Sequence, residues 1–306
     1  MLKTSLGRQG RSVRQALFRA LAFNPLVRRF GLFVRLYHPE VMRPRPKEHI
    51  YAAVERLFEN SANTIEAFIG KLAPTFGHAS LVAVPNMAAN DFDPYWDNEW
   101  FSGNDARAAI AIVAAFRPAV IVEIGCGNST RFFRRAISAF QTGSRLISID
   151  PYPRSSVLAV ADEVLRSSLL DVRLDLFAQL RPNDILFLDG SHLALNGTDT
   201  VHFFLEILPL LESGVLVHLH DIVLPREYDA EMTRRGYAEQ YMLAATLLGG
   251  GDWQVLLPVN WASRRNMLPR HHPLPYGGCS LWMTRKSPAA RRGPDDRGQV
   301  GLPPES

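Results

Sequence analysis

With 306 residues the chain can bury a full core and has room for one large domain with additions or for two small ones. No apolar run reaches the length of a membrane span, and two cysteines, Cys126 and Cys279, are too few for a disulfide framework, which points to a reducing, cytoplasmic setting. The net charge of +4 is unevenly spread: residues 1–47 hold eleven Lys/Arg against the single acid Glu40, so the basic isoelectric point belongs to an N-terminal arm and the remainder is net acidic.

In the arm (1–48), Val13, Leu17, Leu21, Phe23, Leu26, Phe30, Phe33 and Leu36 are scattered among Arg11, Arg14, Arg19, Arg28, Arg29 and Arg35. One reading is a pair of basic amphipathic helices, interrupted near Asn24-Pro25, lying on an anionic membrane surface or a partner as a membrane-peripheral attachment. The other is a solvated extension, or helices packed on the core. No uninterrupted apolar segment precedes a small-residue cleavage site, so no cleavable secretory signal is expected. The arm carries no recognisable nucleic-acid-binding motif, so nucleic acid is not an expected partner.

Pro44-Arg-Pro46 ends the arm. Residues 49–104 read as a helical and aromatic cover: a helix from His49 to about Leu72, divided near Asn60-Ser-Ala-Asn63, then an Asn-, Asp- and aromatic-rich stretch from Pro85 to Gly103. That stretch forms either a lid or pocket wall, or a loop pinned to the core by its aromatics. Asn104-Asp105 is placed to cap a helix over Ala106–Ala115.

Val120 to Ile124 is a mostly β-branched run suited to a strand buried on both faces of a parallel sheet. Gly125-Cys-Gly127 follows, and Asn128-Ser-Thr130 opens an amphipathic segment, Arg131-Phe-Phe-Arg-Arg-Ala-Ile137. A strand, a glycine loop and a helix in this order form the nucleotide-binding turn of open α/β sheets. Thr130 stands at the sixth position of the dinucleotide fingerprint, which argues against a pyrophosphate ligand. Glu123, ahead of Gly125, completes an E-x-G-x-G run. This run resembles motif I of class I S-adenosylmethionine (SAM) methyltransferases, with Ser129 where many members have a third glycine. The resemblance implies that Glu123, through the surrounding loop, helps hold the amino-acid end of SAM, and that Gly125, Gly127, Asn128 and Ser129 form the cofactor loop.

Leu146-Ile-Ser-Ile-Asp150 reads as the second strand, with Asp150 at its end where a carboxylate can accept from both ribose hydroxyls of a nucleoside. Ser156 to about Leu165 reads as a helix and Leu170 to Leu176 as a third, edge-like strand. Asn183 to His192 is a buried strand delivering Asp189 and His192 to the carboxyl edge. A helix over Phe203–Leu211 leads to a further strand, Gly214 to Ile222, ending in His220-Asp221. Alternation puts His218 and His220 on one face. His218, inside an apolar run, reads as a hydrogen-bonded core or wall histidine and not as a catalyst.

The runs Phe187-Leu-Asp-Gly-Ser-His192 and Leu208 through Pro225, with Glu239-Gln-Tyr241 in a later helix, resemble the class I methyltransferases of family 24 over roughly residues 98–285. That implies a Rossmann-like α/β sheet of order 3-2-1-4-5-7-6, closing with Trp253–Trp261 and Cys279–Arg285. The methyltransferase domain spans 105–285, followed by a disordered tail at 286–306 rich in Pro, Gly and Arg.

Methyl transfer to a hydroxyl needs alignment and a proton acceptor. His192 or His220 can serve as the base, with Asp221 beside them. Alternatively Asp189, Asp221 and His220 ligate Mg²⁺ or another divalent cation. The two acids resemble, in placement, the metal ligands of catechol-type O-methyltransferases, but Ile222 stands where those enzymes supply an Asn. The expected activity is O-methylation of a small-molecule or glycan-type acceptor. The rival readings are an NAD(P)-dependent oxidoreductase and a non-catalytic SAM-binding scaffold. His271-His272, between prolines, suggests a metal site or merely a solvated loop.

Overall fold

The computed structural model describes residues 45–76, 78, 83–154, 156–270 and 277–287. The arm up to residue 44, the His271-His272 pair and the tail from residue 288 lie outside the described residues. The described chain from Pro46 onward belongs to one compact unit.

Among the described residues, seven strands form one sheet of order β3-β2-β1-β4-β5-β7-β6. Two helices come first, α1 (Ala52–Asn60) and α2 (Ala62–Phe76), broken at Ser61 in the Asn60–Asn63 patch. Helix α3 (Gly103–Phe116) feeds β1 (Val120–Ile124). Four of its six alanines, 106, 108, 109 and 111, favour helix and are fully buried, which lets it lie close in the core. It stops at Arg117, whose left-handed backbone precedes Pro118. Asn104 and Asp105 sit inside its first turn, while Ser102 takes the cap position, so the helix starts earlier than the capping pattern suggested.

Helix α4 (Asn128–Phe140) follows the glycine loop, then β2 (Arg145–Ile149) pairs parallel to β1. The third strand is β3 (Glu163–Leu165), which pairs with β2. This corrects the expected helix from Ser156 and the expected strand at Leu170–Leu176. The first is a single 3-10 turn at Val157–Ala159, and the second holds a 3-10 turn at Leu169–Asp171 and the short helix α5 (Asp175–Ala178). The physical reason is burial: Leu169 and Phe177 turn inward as separate anchors and are not a strand face.

Strand β4 (Ile185–Leu188) pairs with β1 and with β5 (Leu216–Leu219), all parallel. Between them the helical segment begins earlier than Phe203. It runs as α6 (Asp199–His202), one π turn (Phe203–Ile207) and a 3-10 turn at Leu208–Leu210 containing Pro209. After β5 come α7 (Ala230–Arg235), capped by the Asp229 carboxylate, and α8 (Glu239–Gly249). The β-rich Trp253–Trp261 segment divides into β6 (Trp253–Pro258) and α9 (Val259–Arg264). Strand β7 (Leu281–Arg285) runs antiparallel between β5 and β6.

The aromatic stretch before α3 is pinned more than it is free. Trp96 and Phe101 are buried against Phe132 on α4, with ring centroids 5.3 and 6.0 Å away, while Phe92 and Trp100 face solvent. The segment before α1 adds a short antiparallel bridge, Ile50 to Arg226, and the Tyr51 hydroxyl donates to Glu227 at 2.5 Å. These contacts tie the N-terminal helices to the loop between β5 and α8.

Candidate active site

The carboxyl ends of β1, β2, β4 and β5 converge on one edge, where open α/β sheets hold their ligands. Gly125 leaves β1 with φ +76°, and a Cβ there would stand 1.8 Å from the Asp189 carbonyl oxygen. Only glycine therefore allows the β1 loop to lie against the β4 loop. Gly127 differs: its backbone is extended and no atom occupies the space a Cβ would take, so the protein itself does not require glycine there.

Glu123 is buried beneath this loop. It accepts hydrogen bonds from the hydroxyls of Ser129 (2.5 Å), Thr130 (2.6 Å) and Ser148 (2.9 Å), while Thr130 Oγ1 also accepts from the Gly127 amide at 3.0 Å. Burial pushes the Glu123 carboxyl up to about 7 against the pull of those three donors. Glu123 and Ser129 thus set the loop's shape from below. Asn128 turns away, its amide donating to Asn98 at 3.1 Å, which links the glycine loop to the aromatic stretch.

Asp150 ends β2 with its carboxylate fixed by two amides, Cys126 (3.2 Å) and Tyr152 (2.7 Å). It lines a cavity of about 420 Å³ together with Gly125, Asp189, Ser168, Leu170 and Ser191, among others. That volume is in the range of small-molecule and cofactor sites. Leu170, expected in a strand, is instead with Ser168 part of the wall of this cavity. Ser191, also a lining residue, donates its amide to the Asp199 carboxylate at 2.8 Å.

Asp189 also belongs to a second, more buried cluster. His192 Nε2 lies 3.5 Å from Asp189 and 3.6 Å from Asp221, and its Nδ1 is bonded to Glu239 at 2.7 Å. His220 Nδ1 lies 3.7 Å from Asp189 and 3.6 Å from Asp221, while its Nε2 faces Asp105 at 3.8 Å and Cys279 at 3.9 Å. His192 and Asp221 both hold left-handed backbone, φ 63° and 53°. That conformation is uncommon outside glycine, although Asp and His enter it more readily than most residues. Tyr237 stacks on the His192 ring at 4.1 Å.

The electrostatics separate the three imidazoles. Burial alone would lower all of them. His218 feels burial first and then the neighbouring His220, and drops well below the usual range. Both its ring nitrogens lack hydrogen-bond partners, and its ring stacks on Phe187 at 4.1 Å, a core position. For His220 the burial penalty is outweighed by Cys279, Asp189 and Asp105, which hold it well above the usual range. His192 is likewise raised, by Glu239 and then Asp189 and Asp221 working against burial. Burial opposes the Asp189 charge, but His220 and His192 keep its carboxyl below the ordinary value. Burial pushes the Cys279 thiol up to about 12.

Residues 122–222 match the family model of a methyltransferase domain, family 24. Those residues, about a third of the chain, are thus similar to a class I methyltransferase domain. The strand order, with β7 antiparallel between β5 and β6, is that of this class, and SAM is the cofactor of such enzymes. None of the curated proteins matches the chain. Among solved structures, the O-methyltransferase of Bacillus cereus in complex with S-adenosylhomocysteine (SAH) is 16% identical, over 82% of this chain and 96% of its own, with a TM-score of 0.37. TomG of Streptomyces achromogenes, an O-methyltransferase of tomaymycin synthesis in complex with SAM, is 17% identical over 71% and 88%, with a TM-score of 0.38. The SAH-bound methyltransferase PaMTH1 of Podospora anserina is 13% identical over 75% and 97%, with a TM-score of 0.39.

In this chain, then, Gly125, Asp150 and Asp189 meet at the cavity. Asp189, His192, His220 and Asp221 meet beside it. Asn128 and Ser129 are not among the cavity-lining residues. Three members of the cluster escaped reading from sequence: Asp105, Glu239 and Cys279. Glu239 was quoted only as part of a helix, and an acid at a helix start gives no hint that it will be buried 47 residues away from its imidazole partner.

Proposed function

We propose that the methyltransferase moves the methyl group of SAM to a hydroxyl of a small-molecule or glycan-type acceptor. The observation that carries this reading is the meeting of two carboxylates and two imidazoles, Asp189, His192, His220 and Asp221, at spacings of 3.5–3.7 Å beside the cavity. The cofactor supplies a sulfonium-borne methyl that leaves by in-line displacement, a reaction governed by alignment and exclusion of water. A hydroxyl must also lose its proton, and this chain has a group placed for that task.

His192 is that group. In its neutral form, with the remaining proton on Nδ1 toward Glu239, its Nε2 faces Asp189 and Asp221 as the proton acceptor. The arrangement is the carboxylate-oriented imidazole that general bases use elsewhere. His220, surrounded by acids on both edges, keeps its proton and supplies positive charge between Asp189 and Asp221. Asp150 is placed to accept from the ribose hydroxyls, and Glu123 keeps the glycine loop in shape.

A divalent cation fits the same mouth. His220 Nδ1 is buried without a hydrogen-bond partner and faces one oxygen each of Asp189 and Asp221; the two carboxylates suit Mg²⁺, and the imidazole nitrogen extends the set to a softer divalent ion. An ion held by those three side chains would lower the pKa of the acceptor hydroxyl. A proton and a cation are alternatives at that nitrogen.

The test is SAH release from SAM over a panel of phenols, catechols, sugars and amines, each with added Mg²⁺ or with chelator. Turnover confined to hydroxyl acceptors supports the reading, and loss on chelation assigns the activation to the cation. Turnover of amines alone would reject it. The charge of residues 1–47 supports a peripheral attachment of the arm to anionic membrane. Liposome flotation of the full chain against one beginning at His49 checks this, and equal flotation removes it.

A further inference from the structure

His220 has two edges, and only the Nδ1 edge faces the mouth described above. On the Nε2 edge stand Asp105, from the first turn of α3, and Cys279, from the lead-in to β7. The three ligand atoms, Asp105 Oδ2, His220 Nε2 and Cys279 Sγ, lie within 4.8 Å of one another. Two of the spacings are 3.8 Å (Asp105 to His220) and 3.9 Å (Cys279 to His220). Ligands about 2.0–2.3 Å from a tetrahedral zinc ion stand about 3.3–3.6 Å apart, so the two His220 spacings are within a few tenths of an ångström of what such an ion needs.

We propose that Asp105, His220 and Cys279 form a binding site for a thiophilic divalent cation, Zn²⁺ being the natural occupant, distinct from the oxygen-rich mouth. The donor chemistry sets the class of ion. A thiolate, an imidazole and one carboxylate select zinc over magnesium, which avoids sulfur. The local fold holds the donors in place independently of any ion. Cys279 N–H and Ser280 O–H both donate to the Asp105 carboxylate, at 2.8 and 2.5 Å, and the Ile222 amide donates to the Cys279 carbonyl at 2.6 Å. Asp105 therefore arrives oriented, as metal-ligating carboxylates do through their outer hydrogen bonds.

The other edge of His220 completes the pattern. An imidazole that ligates through Nε2 normally donates its Nδ1 proton to a carboxylate. Here Nδ1 is buried, has no hydrogen-bond partner, and faces Asp221 at 3.6 Å and Asp189 at 3.7 Å. Asp221 Oδ1 is also 3.3 Å from Cys279 Sγ, which puts it next to the fourth coordination position. Asp105 and His220 are buried, and Cys279 is half-buried, giving the ion a way in. Binding moves the thiol proton to solvent and leaves the thiolate on the metal. Zinc on Nε2 would fix the proton on Nδ1 and so tie the state of this pocket to the methyl-transfer centre. The pocket itself stands whether or not the chain methylates a hydroxyl.

Cobalt is the probe, because tetrahedral Co²⁺ bound to a thiolate shows a near-ultraviolet charge-transfer band with visible d–d bands. The full chain, reduced and free of chelator, is titrated with Co²⁺ and then with Zn²⁺. The expected result is a charge-transfer band that Zn²⁺ abolishes. It should be lost in Cys279→Ser, weakened in Asp105→Asn, and kept in Cys126→Ser and Asp189→Asn. No band with cobalt in large excess overturns the proposal. So does a band that survives Cys279→Ser, or one that disappears in Asp189→Asn, since the ion would then belong to the mouth. Should Cys279→Ser fail to fold, alkylation of the wild-type chain read by mass spectrometry decides the matter. Zinc must slow labelling of Cys279 and not of Cys126, and equal labelling of Cys279 with and without zinc overturns the site.

Discussion

Glu239 Oε1 and His192 Nδ1 are 2.7 Å apart, and both groups are buried at the edge of the sheet where the cavity opens. The contact joins the start of α8 to the loop after β4, and it decides which nitrogen of His192 faces the mouth. Removing the acid while keeping the shape separates orientation from packing. Glu239→Gln should lower turnover by more than about tenfold, because an amide can hold the imidazole in either tautomer, and should leave SAM affinity unchanged. Steady-state turnover alongside calorimetric SAM binding checks this. A matched loss of both would mean that Glu239 only supports the fold.

The two glycines of the loop should part company. Gly125→Ala places a methyl 1.8 Å from the Asp189 carbonyl at a φ of +76°, so it should destabilise by about 3 kcal/mol or more, or prevent folding. Gly127→Ala meets no protein atom and has extended backbone, so its melting temperature should match wild type while SAM affinity falls. Thermal melts with and without SAM distinguish the two.

Asp150→Ala removes an acceptor that two backbone amides hold in place at the cavity wall. Losing the hydrogen bonds that two ribose hydroxyls would donate to this carboxylate should weaken SAM binding by about 10- to 100-fold, with little effect on the rate at saturating SAM. Calorimetric dissociation constants for SAM and SAH give the answer. Unchanged affinity would remove Asp150 from the cofactor site.

Glu123 gives a dependence of stability on pH. Its carboxyl is raised to about 7 in the fold from an unfolded value of 4.5, so folding favours its protonated form. Its contribution is full below pH 4.5 and is lost as the pH rises through 7. Glu123→Gln has no such loss, so the stability of the variant relative to wild type should improve between pH 5 and 8, by at most about 3 kcal/mol. Denaturant melts across that range measure it. A wild-type advantage that grows with pH would show that the three hydroxyl donors outweigh burial.

Much of the frame was legible because it rests on strong local patterns. Val120–Ile124 with its glycines, and the apolar runs into Asp189 and His220-Asp221, are buried strands ending in polar groups, and the structure brings those ends together. What was not legible depends on distant contacts. Strand β3 is three half-buried residues at the sheet's parallel edge, with no alternation to read, and Leu169-Leu170 carries a stronger apolar signal although it walls the cavity. Asp105 looked like a helix cap because its partners, Cys279 and Ser280, are more than 170 residues away. His218 and His220 follow the same alternation. Their surroundings separate them: Phe187 and Trp282 pack on one, and acids and a thiol on the other.

In the proposed mechanism the Asp189–His192–His220–Asp221 cluster activates the acceptor and leaves cofactor binding to the neighbouring cavity. The most direct measurement pairs calorimetric SAM binding with turnover in wild type, His192→Ala and Asp221→Ala, on whichever acceptor the panel identifies. We expect SAM dissociation constants within about threefold of wild type and turnover down by about 100-fold or more in both variants. Full turnover in both variants would contradict the account.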